Sequence, residues 1–207
     1  MKKGILTGIG CAVIGAITII ILAVIIGFWS VNFNNTAVEL QADAKTAWSN
    51  VESAYQRRND LIGNLVKTVQ GAADFEKSTL TAVIEARAKA TSTNINAENL
   101  SPENLAAFQQ AQAGLSSALS RLLVTVERYP DLKANQNFLE LQSQLEGTEN
   151  RINVARDRFN EKVNDYDIHI SKFPNKILAG WFGFDEMSRF QADPGAEKAP
   201  DVEFDFN

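Results

Sequence analysis

The sequence predicts an all-α protein in which an N-terminal transmembrane helix precedes an antiparallel four-helix bundle of long helices. No charged side chain lies between Gly4 and Ser30. Beyond this segment, apolar residues recur at intervals of three and four, the spacing that places them on one face of a helix. Glycine and proline are sparse in the middle of the chain, where the helix-favouring residues Ala, Leu, Glu, Gln, Lys and Arg dominate.

The uncharged run is long enough to cross a membrane. Ile5 to Phe28 is mostly Ile, Val, Ala, Leu and Gly, and at about 1.5 Å per residue such a helix spans the ~30 Å of hydrocarbon in a bilayer. A cleaved signal peptide would have a shorter apolar core. Lys2 and Lys3 flank the start of the run, so the positive-inside rule places the N-terminus in the cytoplasm. Residues 1–30 are therefore predicted to be a single-pass anchor in the cytoplasmic membrane, with the bundle outside the cytoplasm.

Charge, cysteine and histidine content exclude several functional classes. The chain has 20 basic and 25 acidic residues, a net charge of −5, whereas a nucleic-acid partner favours a basic surface. The one cysteine, Cys11, lies in the apolar run, which leaves the bundle without a disulfide or a thiolate metal site. Carboxylate-bridged metal bundles have a Glu three residues before a His on the same helix. The chain has one histidine, His169, and the residue three positions before it is Tyr166. We expect no nucleic acid, no metal and no other cofactor.

Capping signals set the remaining domain boundaries. Residues 31–35 are predicted to be a linker, and Thr36 with Glu39 has the spacing of a capping box at the start of a helix. The bundle covers 36–190. Residues 191–207 form an acidic tail rich in aspartate and glutamate, which we expect to be disordered.

The first half of the bundle contains one helix or two. The apolar periodicity continues across residues 36–58 and 61–92, while two glycines weaken a continuous helix. We favour a break near Arg58 to Asp60, with Asp60 capping the second helix. A turn rich in Ser, Thr and Asn from Thr91 to Leu100 closes this part of the bundle.

The second half contains two further helices. Ser101 and Pro102 have the identities of an N-cap and a first helical position, and this helix stops at Tyr129-Pro130 because a residue before proline is forced out of the α region. In the last helix the apolar role shifts by one residue at Val163, which is typical of a nearly straight helix rather than a strict coiled coil. Its apolar residues recur every seven positions at Phe138, Leu145, Ile152, Phe159, Tyr166 and Phe173.

Several collinear strings carry a family resemblance over most of the region from about residue 30 to 184. They are RRNDLIGNLV at 57–66, EAR at 85–87, YPDLKAN at 129–135, ENRI at 149–152, and FP at 173–174 followed by FGF at 182–184. Together they resemble the LemA family. The resemblance implies an N-terminal transmembrane helix and a helical bundle, in bacterial envelope proteins without an established enzymatic activity. It also implies an envelope partner, since members are often encoded beside membrane-bound zinc metalloproteases. This chain has Gly63 where the family usually has proline.

Charged residues within the apolar stripe are the first candidate site. Arg58 and Glu76 occupy positions where an apolar side chain is expected, and a lone charge in a core is costly unless it is paired. The favoured interpretation is structural: the two residues lie at the ends of the core, extend to water, or pair with Glu85, Arg87, Glu149 or Arg151. The alternative is a polar binding seam. The residues predicted for this seam or for interaction are Arg58, Asn64, Glu76, Glu85, Arg87, Glu149, Arg151 and Arg156.

An aromatic segment from Pro174 to Phe190 is the second candidate. It either covers the open end of the bundle, the favoured interpretation, or forms an exposed patch that contacts lipid or a partner. The predicted interface aromatics are Trp181, Phe182 and Phe184.

No Ser/His/Asp arrangement, glycine-rich phosphate loop or Cys/His pair can be assembled from the sequence, so we expect that the protein is not an enzyme. We expect a protein-interaction or scaffold module at the bacterial cell envelope. The alternative is an envelope protein that binds lipid or a small ligand within the bundle.

Overall fold

The computed structural model describes residues 2–71, 75–93, 95–97 and 100–191, with side chains described from residue 14 onward. Within these ranges the chain forms helices and no strand, so the predicted all-α class is confirmed. The helices are α1 (Lys2–Gln70), α2 (Lys77–Ser92), α3 (Pro102–Val126), α4 (Pro130–Lys133), α5 (Gln136–Ser171) and α6 (Asn175–Phe182).

The chain divides into two compact units. Unit 1 contains the residues up to Ala47 together with Glu161–Met187, and unit 2 contains Trp48–Asn160 together with the residues from Ser188 onward. Helices α1 and α5 each contribute residues to both units. The predicted acidic tail lies outside the described residues beyond Gln191.

Helix α1 is one unbroken helix of 69 residues. The predicted linker at 31–35, the helix start at Thr36 and the break near Arg58 to Asp60 are therefore wrong. Phe33 and Ala37 are buried in the core of unit 1, and this tertiary packing keeps the segment helical despite its local capping signals. Residues 36–70 thus belong to α1 and residues 77–92 to α2, so α1 ends at Gln70 and not near Arg58 to Asp60.

The end of α1 lies beside a glycine. The helix ends at Gln70, where the backbone N–H of Gly71 still donates to the carbonyl of Lys67 at 3.2 Å. Helix α2 begins at Lys77.

The start of α3 confirms the predicted cap. The side-chain oxygen of Ser101 accepts a hydrogen bond from the backbone N–H of Asn104 at 3.2 Å, and Pro102 is the first helical residue. Helix α2 ends at Ser92, inside the predicted turn. At the other end α3 stops at Val126, a few residues before the predicted limit.

The apolar stripe on α5 is confirmed for all but its last member. Phe138, Leu145, Ile152, Phe159 and Tyr166 are buried, as are Val163 and Ile170, which take over the apolar face late in the helix. Phe173 is 84% exposed, because α5 ends at Ser171 and the chain turns before that residue is reached.

In unit 2, α1 runs antiparallel to α5 and in the same direction as α3. Trp48 contacts Phe159 of α5 and Phe108 of α3 through their rings. Ten residues later on α1, Arg58 hydrogen-bonds to lower-numbered Glu149 of α5 and to higher-numbered Ser116 of α3. These opposite trends in residue number set the two directions.

Helix α2 completes this alternation. The indole N–H of Trp48 donates to the carbonyl of Ile95, just beyond α2, at 3.0 Å. Arg87 of α2 reaches back to Asn59, further along α1. Residue numbers therefore fall on α2 as they rise on α1. The buried apolar core between these elements includes Ile62, Leu65, Val69, Leu80, Val83, Leu115, Leu122 and Leu145.

Unit 1 has its own smaller core. Helix α6 packs its Leu178 and Ala179 against α1, and Tyr166 and Ile170 of α5 complete the cluster. Its buried members are Phe33, Ala37, Tyr166, Ile170, Leu178 and Ala179, with Trp29, Leu40, Phe184 and Met187 packed at its edge.

Helix α1 contains, near the N-terminus, a segment that is long and apolar enough to cross a membrane. Its described side chains between Ile14 and Phe28 are exposed and apolar apart from Thr18, whose hydroxyl donates to the backbone carbonyl of Ile14. A helix with apolar residues on every side requires an apolar environment, which here is supplied by a bilayer.

Candidate functional site

A buried arginine joins three helices of unit 2. Arg58 on α1 is 3% exposed. Its Nη1 donates to Oε1 of Glu149 on α5 at 2.8 Å and to Oγ of Ser116 on α3 at 3.1 Å, while its Nη2 donates to Oε1 of Gln112 on α3. The guanidinium also lies 5.0 Å from the ring centroid of Tyr55. Of the partners considered from the sequence, Glu149 is the one that pairs with Arg58.

The network extends to a fourth helix through an amide. Gln112 is buried, and its Nε2 donates to the backbone carbonyl of Ala90 on α2 at 3.5 Å. The side chain of Gln112 on α3 thus accepts a hydrogen bond from Arg58 of α1 and donates one to the backbone of α2. Polar groups that are paired in this way can be buried without a large penalty, and they fix the relative positions of the helices that carry them.

A second arginine packs on α1 through a glycine. The Nε of Arg87 donates to the backbone carbonyl of Asn59 at 2.8 Å. A Cβ atom at Gly63 would lie 3.1 Å from Cζ of that guanidinium, closer than an unstrained contact. Gly63 therefore provides the space that Arg87 occupies. The same carbonyl is the helical acceptor for the N–H of residue 63, which a proline would lack.

Glu76 lies at the surface rather than in a seam. Its carboxylate pairs with Arg128 at 3.1 Å, and both side chains are exposed. The hydroxyl of Ser78 donates to it at 2.7 Å. This hydrogen bond, followed by the nearby positive charge of Arg128, lowers the pKa of Glu76 below its usual value. Arg128 was not singled out by the sequence, because an exposed ion pair leaves no periodic signal.

The other predicted seam residues do not converge on Arg58, with one exception. Asn64, Glu85 and Arg151 are exposed. Arg156 lies on α5 with its Cζ 4.7 Å from the ring centroid of Phe190, and it lines the same recess as Arg58.

That recess has a volume of about 350 Å³ and a polar lining. Arg58, Glu149 and Arg156 supply its charges, and amide and hydroxyl groups of α3 and α5 supply most of the rest. The charge of Arg58 is already paired with Glu149. The neutral side chains Gln112 and Ser117 of the lining are also engaged in hydrogen bonds within the protein.

A larger recess of about 550 Å³ lies where α1, α2 and α3 meet. Its charged lining residues are Glu52, Asp60 and Arg87. Burial raises the pKa of the Glu52 carboxyl, and the indole of Trp48 partly opposes this effect. Another lining residue, Asn59, has a buried Oδ1 without a hydrogen-bond partner among the described residues. The recess can therefore offer the carboxyl group of Glu52 and the guanidinium of Arg87 to a polar ligand.

The predicted aromatic segment is divided between packing and exposure. In unit 2, Phe190 stacks on Trp48 with ring centroids 5.7 Å apart. Its backbone N–H donates to Oδ1 of Asn160 at 2.9 Å, and its carbonyl accepts from Nδ2 of the same residue at 3.1 Å. In unit 1, Trp181 and Phe182 remain exposed. The segment is therefore packed at Phe190 and exposed at Trp181 and Phe182.

The remaining residues of interest lie in unit 1. Phe184 is partly buried and contacts Phe33 edge-on, with ring centroids 5.9 Å apart. His169 stacks on the ring of Phe33, with ring centroids 5.1 Å apart. Its Nε2 lies 3.3 Å from the backbone carbonyl oxygen of Phe33. Within the described part of the chain, no group of three or more His, Cys, Asp or Glu residues is placed to hold a metal ion.

Two members of the buried network, Gln112 and Ser116, are absent from the sequence-based list of seam residues. Gln112 lies at a stripe position on α3, where apolar neighbours recur on either side. A polar residue at such a position was the signal available for it, the same signal that identified Arg58. Ser116 lies beside the stripe, and the sequence gives no comparable signal for it.

The apolar span and the helical units together define a membrane-anchored helical protein. Comparison with known families gives the same class: the LemA family model matches residues 47–204, which is more than half of the chain. The chain belongs to the LemA family, which confirms the resemblance seen in its sequence.

Named relatives share a modest fraction of residues with this chain. Magnetosome protein MamQ 2 of Paramagnetospirillum magneticum and Magnetosome protein MamQ of Magnetospirillum gryphiswaldense are each 28% identical to it, over 79% of this chain and 66% of their own length. Protein LemA of Metamycoplasma hominis is 25% identical over 74% of this chain and 64% of its own length. The chain thus spans just under two thirds of the relatives it matches.

Proposed function

We propose that this protein is a membrane-tethered helical scaffold of the bacterial cell envelope, which binds other envelope proteins through the exposed faces of its helices. One observation carries the proposal. Helix α1 begins with the apolar span and then supplies core residues, including Phe33 in unit 1 and Trp48 in unit 2. The helical domain is therefore attached to the membrane through one of its own core helices.

The buried polar network supports a structural rather than a catalytic role. Arg58, Gln112 and Glu149 bond chiefly to one another and to neighbouring helices. Groups engaged in this way hold helices in register, and they have little capacity left to activate a nucleophile or transfer a proton. We propose on this basis that the protein is not an enzyme.

The proposed location is the inner membrane, with the N-terminus in the cytoplasm and the helical units outside it. Lys2 and Lys3 before the span support this orientation. Family resemblance adds one class of partner to the proposal, a membrane-bound zinc metalloprotease. A cysteine-accessibility assay with a reagent that does not cross membranes tests the orientation. Labelling of Val124→Cys in intact cells supports it, and labelling only after lysis contradicts it.

Site-specific photo-crosslinking in native membranes tests the scaffold function. A photoreactive amino acid is placed at Val124 on α3 or at Val154 on α5, both of which are exposed. The control position is Ile21 in the apolar span, which should contact mainly lipid. We expect discrete protein adducts from the first two positions. If every position yields only lipid or no adduct at native abundance, the scaffold proposal is wrong.

The larger recess favours a second candidate function, the binding of a small polar ligand or a lipid headgroup. Its lining combines the carboxyl of Glu52 with the guanidinium of Arg87. A ligand that binds only the folded protein raises the melting temperature by mass action. Screening the full-length chain in detergent against metabolites and lipids should reveal such a shift. Arg87→Ala should abolish it and Arg128→Ala should preserve it, while null results across the libraries would argue against this candidate.

A further inference from the structure

We propose that α6 is a second membrane contact, which lies on the bilayer surface next to the point where α1 leaves the bilayer. Its outer face, formed by Ile177 and Trp181, would insert among the lipid headgroups. This proposal concerns how the protein meets lipid and does not depend on whether it acts as a scaffold for other proteins.

Helix α6 is apolar on both sides. Leu178 and Ala179 are buried against unit 1, as expected for the inner face of a surface helix. Ile177 and Trp181, one turn apart on the opposite side, are 49% and 78% exposed. A surface helix of a water-soluble domain has polar residues on that side. An outer face of isoleucine and tryptophan therefore indicates a contact with an apolar or interfacial environment.

The position of α6 along α1 identifies that environment. Phe182 at the end of α6 stacks on Phe33 of α1, with ring centroids 6.3 Å apart. The exposed apolar surface of the span extends to Phe28. Five residues of α-helix rise by about 7.5 Å, and the interfacial layer extends roughly 5 to 7.5 Å beyond the hydrocarbon on each side. Helix α6 therefore packs against α1 at the depth of the lipid headgroups.

The side chains around α6 have the chemistry of an interfacial element. Tryptophan prefers the headgroup region because its ring is apolar and its N–H is polar. Lys172 and Lys176 are exposed beside the apolar face, where their ammonium groups can reach lipid phosphates. Asp185 and Glu186 are exposed just after the helix. These opposite charges offset the lysines, so binding should depend mainly on apolar insertion and only weakly on anionic lipid.

The length of α6 is consistent with this placement. Eight residues cannot cross a bilayer, so a helix of this length that contacts lipid does so at the interface. Phe173, just before α6, is 84% exposed. It adds a further apolar side chain to the same region of unit 1.

Fluorescence quenching on the full-length chain in phosphatidylcholine vesicles tests the proposal. In a Cys11→Ser background, Trp181→Cys carries an environment-sensitive fluorophore. The control is Glu161→Cys, also exposed and in unit 1. Its neighbour Lys162 pairs with Asp43 of α1 at 3.4 Å. Asp43 lies about 15 Å further along α1 than Phe33, so position 161 is further from the apolar span than α6. Circular dichroism verifies that each variant is helical, and Ile177→Cys repeats the measurement at a second position.

We expect quenching by lipids with a spin label near the headgroup to be at least roughly threefold stronger at position 181 than at position 161. An aqueous quencher should give the reverse order. Added phosphatidylglycerol should change the result little. Two outcomes overturn the proposal. Either positions 181 and 177 respond to the aqueous quencher as position 161 does, or they are shielded from both quenchers, which would mean that protein covers this face.

Discussion

Replacing Glu149 with glutamine should destabilise unit 2, because it removes the negative charge bonded to the buried guanidinium of Arg58. Breaking a fully buried ion pair typically costs about 3–5 kcal/mol. Here the side chain of Glu149 is 44% exposed, so water can partly solvate the remaining charge. Arg58 also keeps its bonds to Gln112 and Ser116. We therefore expect a loss of about 2 kcal/mol, the range of one hydrogen bond to a charged group.

The chain contains a matched control for this substitution. Glu76→Gln neutralises the same residue type in an ion pair with an arginine, but Glu76 and Arg128 are both exposed. Exposed pairs of this kind contribute little, because water screens the charges and the side chains lose freedom when they pair. The free energy of unfolding should therefore stay close to that of the parent protein.

A double-mutant cycle separates the pair from its surroundings. Arg58→Met keeps most of the side-chain length but removes the donor to Gln112, whose buried Oε1 then lacks that partner. This change should cost about 1–3 kcal/mol. Adding Glu149→Gln to Arg58→Met should cost much less than Glu149→Gln alone. The coupling free energy of the two residues should be about 1–2 kcal/mol.

Urea unfolding of the full-length protein in a mild detergent, followed by far-ultraviolet circular dichroism, supplies these free energies. The reasoning would be refuted if Glu149→Gln were as mild as Glu76→Gln, or if the two substitutions in the cycle were additive. Either result would mean that Arg58 is solvated well enough to need no anionic partner.

Two further substitutions test other contacts of unit 2. Gly63→Ala should stabilise the protein less than Gly147→Ala does, by about 1 kcal/mol. Alanine favours the helix at the exposed position 147, whereas a Cβ at position 63 crowds Arg87. Equal gains in the free energy of urea unfolding would contradict this. Glu52→Gln should stabilise the protein more at neutral than at acidic pH. Burial raises the pKa of Glu52, so the folded state holds the proton more tightly and stability falls as pH rises through that pKa. Unfolding curves across this pH range check the sign, and a stabilisation that does not change with pH would contradict it.

The parts of the fold that could be predicted from sequence are those set by local chemistry and regular spacing. The charge-free run before Ser30, the cap at Ser101 and the stripe from Phe138 to Tyr166 each leave a pattern within a few turns of helix. The continuity of α1 leaves no such pattern. Its asparagine-rich segment after the span has the composition of a capping site, and only the burial of Phe33 against α5 and α6 explains why it stays helical.

The candidate sites show the same limit. A charged residue within an apolar stripe identified Arg58, since such a residue must find a partner. Several acidic residues could have been that partner, and the antiparallel course of α1 and α5 in unit 2 decides for Glu149. Gly63 was read as a weak point in a helix. The structure shows instead that it accommodates Arg87 from α2, a contact between residues too far apart in sequence to leave a local signal.

Hydrogen–deuterium exchange of the full-length protein in lipid nanodiscs can establish whether α1 runs as one helix from its apolar span into the helical units. An unbroken α1 predicts slow exchange for the backbone amides of 31–35 and 58–60, comparable with that of amides in the middle of α5. Rapid exchange confined to either segment would show a linker or a break there. In that case the span and the helical units would not share a core helix.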